Sequence, residues 1–296
     1  MTAPPETVCA VVVTRNRLRL LEECLAAVEG QTRPPDHVLV VDNASTDGTP
    51  GFVSHQHPDA QLLRLDSNEG GAGGFHEGLR VAAAGGWDWL WLMDDDTVPR
   101  PDALERLLEA PSRLEGAAPP PAILASKIVW TDGRIHPMNP PRLDMSDMHA
   151  LVRGFELGAV PLRWNTFPSL LVRGDVPRRH GLPHKEFFIW SDDIDFTARV
   201  LRHETGYFVP GSVAVHKTPT ANRPWEGGER FYYAVRNGLW VALGDALDPK
   251  ERFFHLLLVA GQVRRFLAVE RYSRGSLAIV TRGLADALRR PRPPVR

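Results

Sequence analysis

Three adjacent aspartates, Asp94-Asp95-Asp96, close the apolar run Trp89-Leu90-Trp91-Leu92-Met93. Neighbouring carboxylates repel one another strongly unless a cation or water screens them. Hard oxygen ligands of this kind select magnesium or manganese, ions that keep waters and bind substrate phosphates. In an Asp-X-Asp arrangement the outer carboxylates point to one side and the middle one points away. Asp94 and Asp96 are therefore expected at a metal, with Asp94 and Asp95 also beside a bound nucleotide. The competing reading is an acidic helix cap ahead of Pro99, though a cap rarely needs three acids.

Four further constellations carry possible chemistry. Asp42-Asn43 ends a second apolar run and can hydrogen-bond a nucleobase or ribose, although the same pair also makes ordinary Asx turns. The segment Asn68-Glu69-Gly70-Gly71-Ala72-Gly73-Gly74-Phe75 brings backbone N–H groups close together at a helix start, which suits phosphates; it reads equally as a tight turn. Asp192-Asp193-Ile194-Asp195 follows an aromatic run, and one of these acids can take a proton from an acceptor hydroxyl. Acids at a helix N-terminus are also favoured by the macrodipole alone. His216 ends a late strand and can ligate a metal as neutral imidazole, or be structural.

These residues must be positioned by an α/β frame. Val8 to Thr14 and His37 to Val41 are continuous apolar runs of the kind buried on both faces of a parallel sheet. Between them Leu18, Leu21, Leu25 and Val28 recur at helical spacing, with Asn16 as the expected cap and Gly30 as the stop. A helix is expected after Thr49, a third strand over Leu62–Leu65, a helix through Leu79 and Ala83, and a fourth strand over Trp87–Met93. This alternation means a parallel, doubly wound sheet, in which ligands gather beyond the carboxyl ends of the strands. Thr14, Asp42, Asn68 and Asp94 all fall at such ends. In the second half, Pro99 and Pro101 frame a helix through Leu108 and Ala117–Ala122 is an Ala/Pro linker. Residues 123–170 mix short strands and loops, Asp192 opens a helix, and Tyr207–His216 is a last strand.

Bulk composition agrees. The 296 residues are 43% hydrophobic, enough for a real core, and the formal net charge of −1 offers no electrostatic case for nucleic acid as a partner. Cys9 and Cys24 lack metal-ligand spacing and read as buried thiols of a reducing compartment. No basic-then-apolar signal opens the chain, and no run reaches the roughly 18–20 apolar residues of a membrane helix. The expected location is cytoplasmic, with peripheral contact at the inner face of the cell membrane. That contact is suggested by Arg252, Arg264, Arg265, Arg271, Arg274, Arg282, Arg289, Arg290 and Arg292 among leucines and phenylalanines. A solvated helix face packed on the catalytic domain is the alternative.

In order, Val11-Val12-Val13-Thr14-Arg15-Asn16-Arg17, Val40-Val41-Asp42-Asn43-Ala44-Ser45-Thr46-Asp47-Gly48, Asn68-Glu69-Gly70 and Asp94-Asp95-Asp96 resemble family-2 glycosyltransferases of the GT-A fold, over roughly residues 8–218. The resemblance implies an inverting enzyme with Mn2+ or Mg2+ held by Asp94, Asp96 and His216. It implies a nucleotide-sugar site built from Thr14, Arg15, Asp42, Asn43, Asn68, Gly73, Gly74, Asp94 and Asp95. Asp193 would be the general base with Asp192 beside it, and Trp164, Ser169 and Trp190 would line the acceptor site. A narrower resemblance is to bacterial galactofuranosyltransferases, carried by Gly70-Gly71-Ala72-Gly73-Gly74-Phe75, Trp190-Ser191-Asp192-Asp193 and Phe231-Tyr232-Tyr233-Ala234-Val235-Arg236-Asn237. Ser191, inserted between tryptophan and acids, is a departure. Rhamnosyltransferases share most of these features, so the resemblance implies a UDP or a dTDP sugar as donor; the acceptor is expected to be a glycan or lipid-linked hydroxyl, with a small natural product also open.

The expected organisation is a catalytic domain over 1–225, with a nucleotide-sugar half (1–110) and an acceptor half (120–225), followed by a basic helical region over 226–296. Two other readings fit the sequence less well. A nucleotidyltransferase would carry a basic glycine-rich loop after its first strand, where this chain has Thr14-Arg15-Asn16-Arg17. A non-catalytic sugar-binding scaffold would have lost acids that are present here.

Overall fold

The computed structural model describes residues 6–116, 118–219 and 228–289. Arg290 and Arg292 of the basic tail, Ala117 of the linker and the expected domain boundary at 225/226 lie outside the described residues.

The donor half forms as its hydrophobic pattern dictates. β1 (Val8–Thr14), β2 (His37–Asp42), β3 (Gln61–Arg64) and β4 (Trp89–Asp94) lie side by side in the order β3-β2-β1-β4, all parallel. Alternate residues of β1 feed two different cores. Cys9, Val11 and Val13 pack with Phe75 and Leu79 on one face. Val8, Ala10 and Val12 pack with Leu21, Leu25 and Trp91 on the other. A strand covered on both faces needs this unbroken apolar run. α1 (Leu18–Glu29) and α2 (Thr49–Gln56) connect the first strands, and α3 (Gly70–Ala84) connects β3 to β4.

The expected Asn16 cap on α1 is replaced. Asn16 Oδ1 instead accepts the Thr46 backbone N–H at 2.7 Å, and the Leu18 N–H donates to Asp47 Oδ2 at 3.2 Å. The glycine-rich segment is not a loop either: Gly70 begins α3 itself. Gly74 lies inside that helix, where a Cβ would come within 2.4 Å of Val13 Cγ1, so its small size lets α3 settle onto β1.

The second half adds β5 (Thr97–Pro99), α4 (Ala103–Leu108), α5 (Ala110–Leu114), β6 (Pro121–Val129), β7 (Arg142–Leu143), α6 (Met148–Leu157), β8 (Val160–Trp164) and β9 (Leu170–Arg173). It continues with α7 (Val176–His180), α8 (Asp192–Val200) and β10 (Thr205–His216). The sheet runs on from β4 as β9-β6-β10-β8-β7, with β5 paired to β10. β6 and β10 are parallel, whereas β9, β8, β7 and β5 join by antiparallel pairing. Four elements went unforeseen: β5, the short helices α5 and α7, and α6 within the stretch expected to hold only strands and loops. The end of the expected linker, Pro121 and Ala122, is the start of β6.

The C-terminal helices are α9 (Phe231–Leu243), α10 (Pro249–Val269) and α11 (Arg274–Ala287). They are fastened to the acceptor half by charge as well as packing. Arg163 on β8 makes a bidentate bond to Glu251 of α10, at 2.6 and 2.7 Å, and also donates to the Ala198 and Ala246 carbonyls. Glu251 doubles as the third residue of a capping box with Asp248. Removing one partner of a largely buried ion pair strands the other. Glu251→Ala should therefore lower unfolding stability by about 3 kcal/mol, read from urea denaturation.

Candidate active site

Parallel register aligns Thr14 with Asp42, and Val13 with Asp94, so the ends of β1, β2 and β4 form one ledge. The chain then turns through Asp95 and Asp96 into β5. β5 pairs antiparallel with β10 in a register that sets His216 opposite Thr97. The Lys217 N–H donates to the Asp96 carbonyl at 2.7 Å and locks that register. One ligand atom from each of Asp94, Asp96 and His216 consequently lies within 4.8 Å of the others.

The three aspartates do different things. Asp95 turns inward: its carboxylate accepts from Thr14 Oγ1 at 2.8 Å and from the Arg15 N–H at 3.3 Å, and sits 3.3 Å from Arg17 Nη1. Asp96 takes a closer bond from the same Arg17 nitrogen, at 2.7 Å, on Oδ2. Its Oδ1 is buried and 3.0 Å from His216 Nε2, yet receives no well-aligned hydrogen bond. Asp94 is half-buried at the mouth of the cluster. Burial, and then the charge of Asp96, push the Asp94 carboxyl up to about 7. Burial also lifts Asp95, to about 6, against the pull of Arg17. Burial would raise Asp96 too, but His216 and Arg17 outweigh it and hold the group below its ordinary value.

Two carboxylates and an imidazole around an unsatisfied buried oxygen are a donor set for a divalent cation, and their oxygen-rich chemistry fits Mg2+ or Mn2+. His216 is oriented for that use. Its Nδ1 is 2.8 Å from Asn139 Oδ1, and Asn139 Nδ2 donates to Thr166 Oγ1 at 2.9 Å. The amide oxygen thus faces the ring, Nδ1 carries the proton, and Nε2 is directed at the acids. His136 lies against His216 with ring centroids 4.8 Å apart. Burial, and then the nearby His216, push His136 down to about 4, so it packs there as a neutral ring.

Other nucleotide-site expectations fare unevenly. Asp42 is fully buried; Oδ1 accepts the Ser45 N–H at 3.0 Å, and Oδ2 has no hydrogen-bond partner, with Arg64 Nε at 3.5 Å. Arg15 is exposed. Asn43 is spent on the fold: Nδ2 donates to the Gly70 carbonyl at 2.7 Å and Oδ1 accepts the Glu69 N–H at 2.8 Å. Nor is the start of α3 an open phosphate cradle. Asn68 Oδ1 takes the Gly70 N–H, the Phe188 carbonyl takes that of Ala72, and the Glu69 carbonyl takes that of Gly73. Asn68, Gly73 and Gly74 therefore shape the helix entry and its packing.

On the acceptor side, Ser169 is corrected most clearly. It is fully buried, and its hydroxyl is bonded to Ser126 and to Trp91 Nε1, leaving nothing to offer a substrate. Trp164 is flanked by Arg142 and Arg163, with guanidinium carbons 5.3 and 5.7 Å from its ring centre, and packs toward the Phe187 and Trp240 cluster. Trp190 is half-buried beside the Phe231 and Phe266 cluster.

Asp192, Asp193 and Asp195 of the second cluster all occupy the first turn of α8, where the helix dipole favours negative charge; Asp195 is paired with Arg199 at 2.9 Å, which leaves Asp192 and Asp193 as the candidate bases. They are not equivalent. Asp192 is buried; desolvation, then Asp193, and also Asp94 across the site push its carboxyl well above the ordinary range. Asp193 is more open, accepts the Ile194 N–H at 2.7 Å, and is raised by burial to about 6. Asp193, the less buried of the two and ionised at neutral pH, is the better candidate for a base. The backbone leading to it is unusual. Phe188, Trp190 and Ser191 have φ of 64°, 66° and 70°, a conformation costing a non-glycine residue on the order of 1–3 kcal/mol.

Arg17 and Asn139 carried no weight in the sequence reading. Arg17 had a visible signal, a basic residue three positions beyond a strand end that faces acids. Asn139 had none, because its role exists only once β10 delivers His216.

Residues 9–141 match the family model for glycosyl transferase family 2. The chain carries a family-2 glycosyltransferase domain. It is 31% identical over 210 residues to galactofuranosyltransferase GlfT1 of Mycolicibacterium smegmatis, covering 67% of this chain and 66% of that protein, just under two thirds of its length. It is 27% identical over 234 residues to the N-acetylglucosaminyl-diphospho-decaprenol L-rhamnosyltransferase of Mycobacterium tuberculosis, covering 70% of this chain and 74% of the relative. Among solved structures, a mannosyltransferase from Pyrobaculum calidifontis in complex with GDP-Man and Mn2+ aligns over 96% of this chain and 83% of its own, with a TM-score of 0.56 at 20% identity. That likeness establishes a GT-A architecture for the family-2 domain, extended by the helices α9–α11.

Proposed function

We propose that the protein is an inverting glycosyltransferase that moves a sugar, with UDP-galactofuranose as the favoured donor, onto an acceptor hydroxyl in cell-envelope glycan synthesis. The observation that carries this reading is the convergence of Asp94, Asp96 and His216 within 4.8 Å, with Asp192 close enough to feel the charge of Asp94. In this reading a metal-held diphosphate and the acceptor base would face one another.

In this reading Asp42 Oδ2, buried without a hydrogen bond and 3.5 Å from Arg64 Nε, accepts from the nucleobase. Thr14, with Arg15 supplying its backbone N–H, holds Asp95 in place behind the ribose and diphosphate. Arg17, half-exposed and bonded to Asp95 and Asp96, sets a positive charge beside the diphosphate. A divalent ion held by Asp94, Asp96 and His216 supplies charge compensation for the nucleotide diphosphate leaving group. Asp193 takes the acceptor hydroxyl proton as the oxygen attacks the anomeric carbon, and attack opposite the departing nucleotide inverts that centre. Trp190, beside the base, offers an aromatic face to the acceptor sugar.

The donor preference leans on the likeness to GlfT1, and dTDP-rhamnose is the second reading, favoured by the likeness to the rhamnosyltransferase. A donor panel with manganese and lipid-linked or glycan acceptors, followed by mass spectrometry, separates them. Addition of a hexose residue from UDP-galactofuranose supports the first, transfer only from dTDP-rhamnose replaces it with the second, and no transfer from any nucleotide sugar rejects both.

Lipid-linked acceptors would place the protein at a membrane surface. Among the described residues no helix is long and apolar enough to cross a membrane. However, Phe253, Phe254, Leu257 and Leu258 stand exposed on one face of α10, and Arg264, Arg271 and Arg274 are exposed toward and beyond its end. Such a surface rests on anionic headgroups. The protein should float with anionic vesicles at low ionic strength and be released by salt; failure to float at low salt would refute peripheral binding.

A further inference from the structure

We infer that Asn237 and Arg236 of α9 are positioning residues for the catalytic base, fixing the backbone from Glu186 to Ser191, which has positive φ at Phe188, Trp190 and Ser191 and aims Asp193 at the acceptor. The inference rests on the transferase reading above.

Five successive carbonyls in that stretch are each held by a donor from outside it. Arg236 Nη2 donates to the Glu186 and Phe187 carbonyls at 2.8 and 3.0 Å. Asn237 Nδ2 donates to Phe187, Ile189 and Trp190 at 3.0, 2.8 and 2.9 Å. The remaining carbonyl, of Phe188, accepts the Ala72 N–H at 3.2 Å from the first turn of α3. Asn237 is fully buried, and its Oδ1 is occupied by Arg236 Nε at 2.9 Å, which points both amide hydrogens at the stretch. Arg236 is in turn seated over Trp240, Tyr233 and Tyr232, its guanidinium carbon 4.1, 5.1 and 5.2 Å from the three ring centres.

The clamp is needed because the held conformation is one that these residues do not choose. Phe188, Trp190 and Ser191 all have positive φ without being glycine. Left alone the chain would relax, and the first turn of α8, which carries Asp192 and Asp193, would turn with it. Gly70 completes the arrangement from the donor side. At φ +72°, a Cβ there would fall 1.9 Å from the Phe188 oxygen, so only glycine lets α3 come close enough to hold that carbonyl. The base is thereby set against the donor helix on one side and the C-terminal helices on the other. The region expected from sequence to be a separate basic extension is part of the catalytic apparatus.

The test is Asn237→Asp, which keeps the side chain's size and replaces both N–H donors by an oxygen facing carbonyls, with Asn237→Ala as the second variant. Binding of UDP with manganese should stay within about twofold, since the donor ledge is untouched, while kcat falls about a hundredfold. The acidic limb of the pH–rate profile should also move, which general destabilisation would not cause. Independently of any substrate, amides of residues 186–193 should exchange with deuterium at least about tenfold faster in the variants, with β1 and β4 unchanged. Wild-type transfer matched by both variants at an unaltered pH limb would overturn the clamp and leave the transferase reading standing. If the wild type transfers no sugar, the transferase reading fails, and unchanged exchange over 186–193 would then reject the clamp on its own.

Discussion

Replacing Asp193 by asparagine should lower sugar transfer about a thousandfold while leaving nucleotide affinity within about twofold. The amide keeps the hydrogen bond from the Ile194 N–H but cannot take a proton. Because burial raises this carboxyl to about 6, wild-type kcat should rise with unit slope as pH increases toward 6 and level off above it. That limb should vanish in the variant. The sign for stability is the reverse of that for activity. A carboxyl whose proton is held more tightly in the native state than in the unfolded chain gives stability that is present at low pH and lost as pH rises through the folded value. Asp193→Asn should therefore melt no lower than wild type at pH 7, and its advantage should disappear near pH 4. Loss of activity accompanied by loss of folding would contradict the assignment. Asp192→Asn should cost less, since Asp192 is buried and its carboxyl is pushed well above the ordinary range by desolvation and by Asp193.

The second large effect concerns the metal. Asp96→Ala removes a proposed ligand whose Oδ1 is buried without an aligned partner and whose Oδ2 is bonded by Arg17. Manganese binding, followed by electron paramagnetic resonance, should weaken by more than about a hundredfold, and nucleotide binding should cease to depend on the ion. Asn139→Ala touches no ligand atom but frees the His216 ring, and its cost should be about tenfold to a hundredfold in metal affinity. Equal losses in the two variants would place Asn139 in direct contact with the ion; no loss in Asp96→Ala would remove the cluster from the metal site.

The donor half was legible because its signals are local. β1 and β4 are buried on both faces and must be apolar throughout, so the first polar residues after them mark the carboxyl edge where Thr14 and Asp94 stand. Parallel register then aligns Thr14 with Asp42 without any further information. The placement of His216 was reachable only through resemblance, since it depends on β5, a strand of three residues with no periodicity to betray it. α6 was missed because it buries only Leu151 and Gly154, leaving Met148, Val152 and Phe155 exposed, so its apolar residues do not form a core-facing stripe. The glycine run was misjudged for a physical reason. Glycines that permit close helix-on-strand packing and glycines that expose backbone to a phosphate leave the same mark in a sequence, and the contacts of Gly74 with Val13 decide for packing. Asn43 and Ser169 show the same limit: a polar residue near a ledge can be consumed by the fold itself, as the bonds to Gly70 and Trp91 show.

The most direct test of the central claim is calorimetric titration of the intact protein with UDP, in manganese and again in EDTA. Micromolar binding in manganese that is lost in EDTA and in Asp96→Ala would support a metal-held nucleotide diphosphate at Asp94, Asp96 and His216. No binding of any nucleoside diphosphate under either condition would contradict the transferase reading and leave the domain as a non-catalytic scaffold.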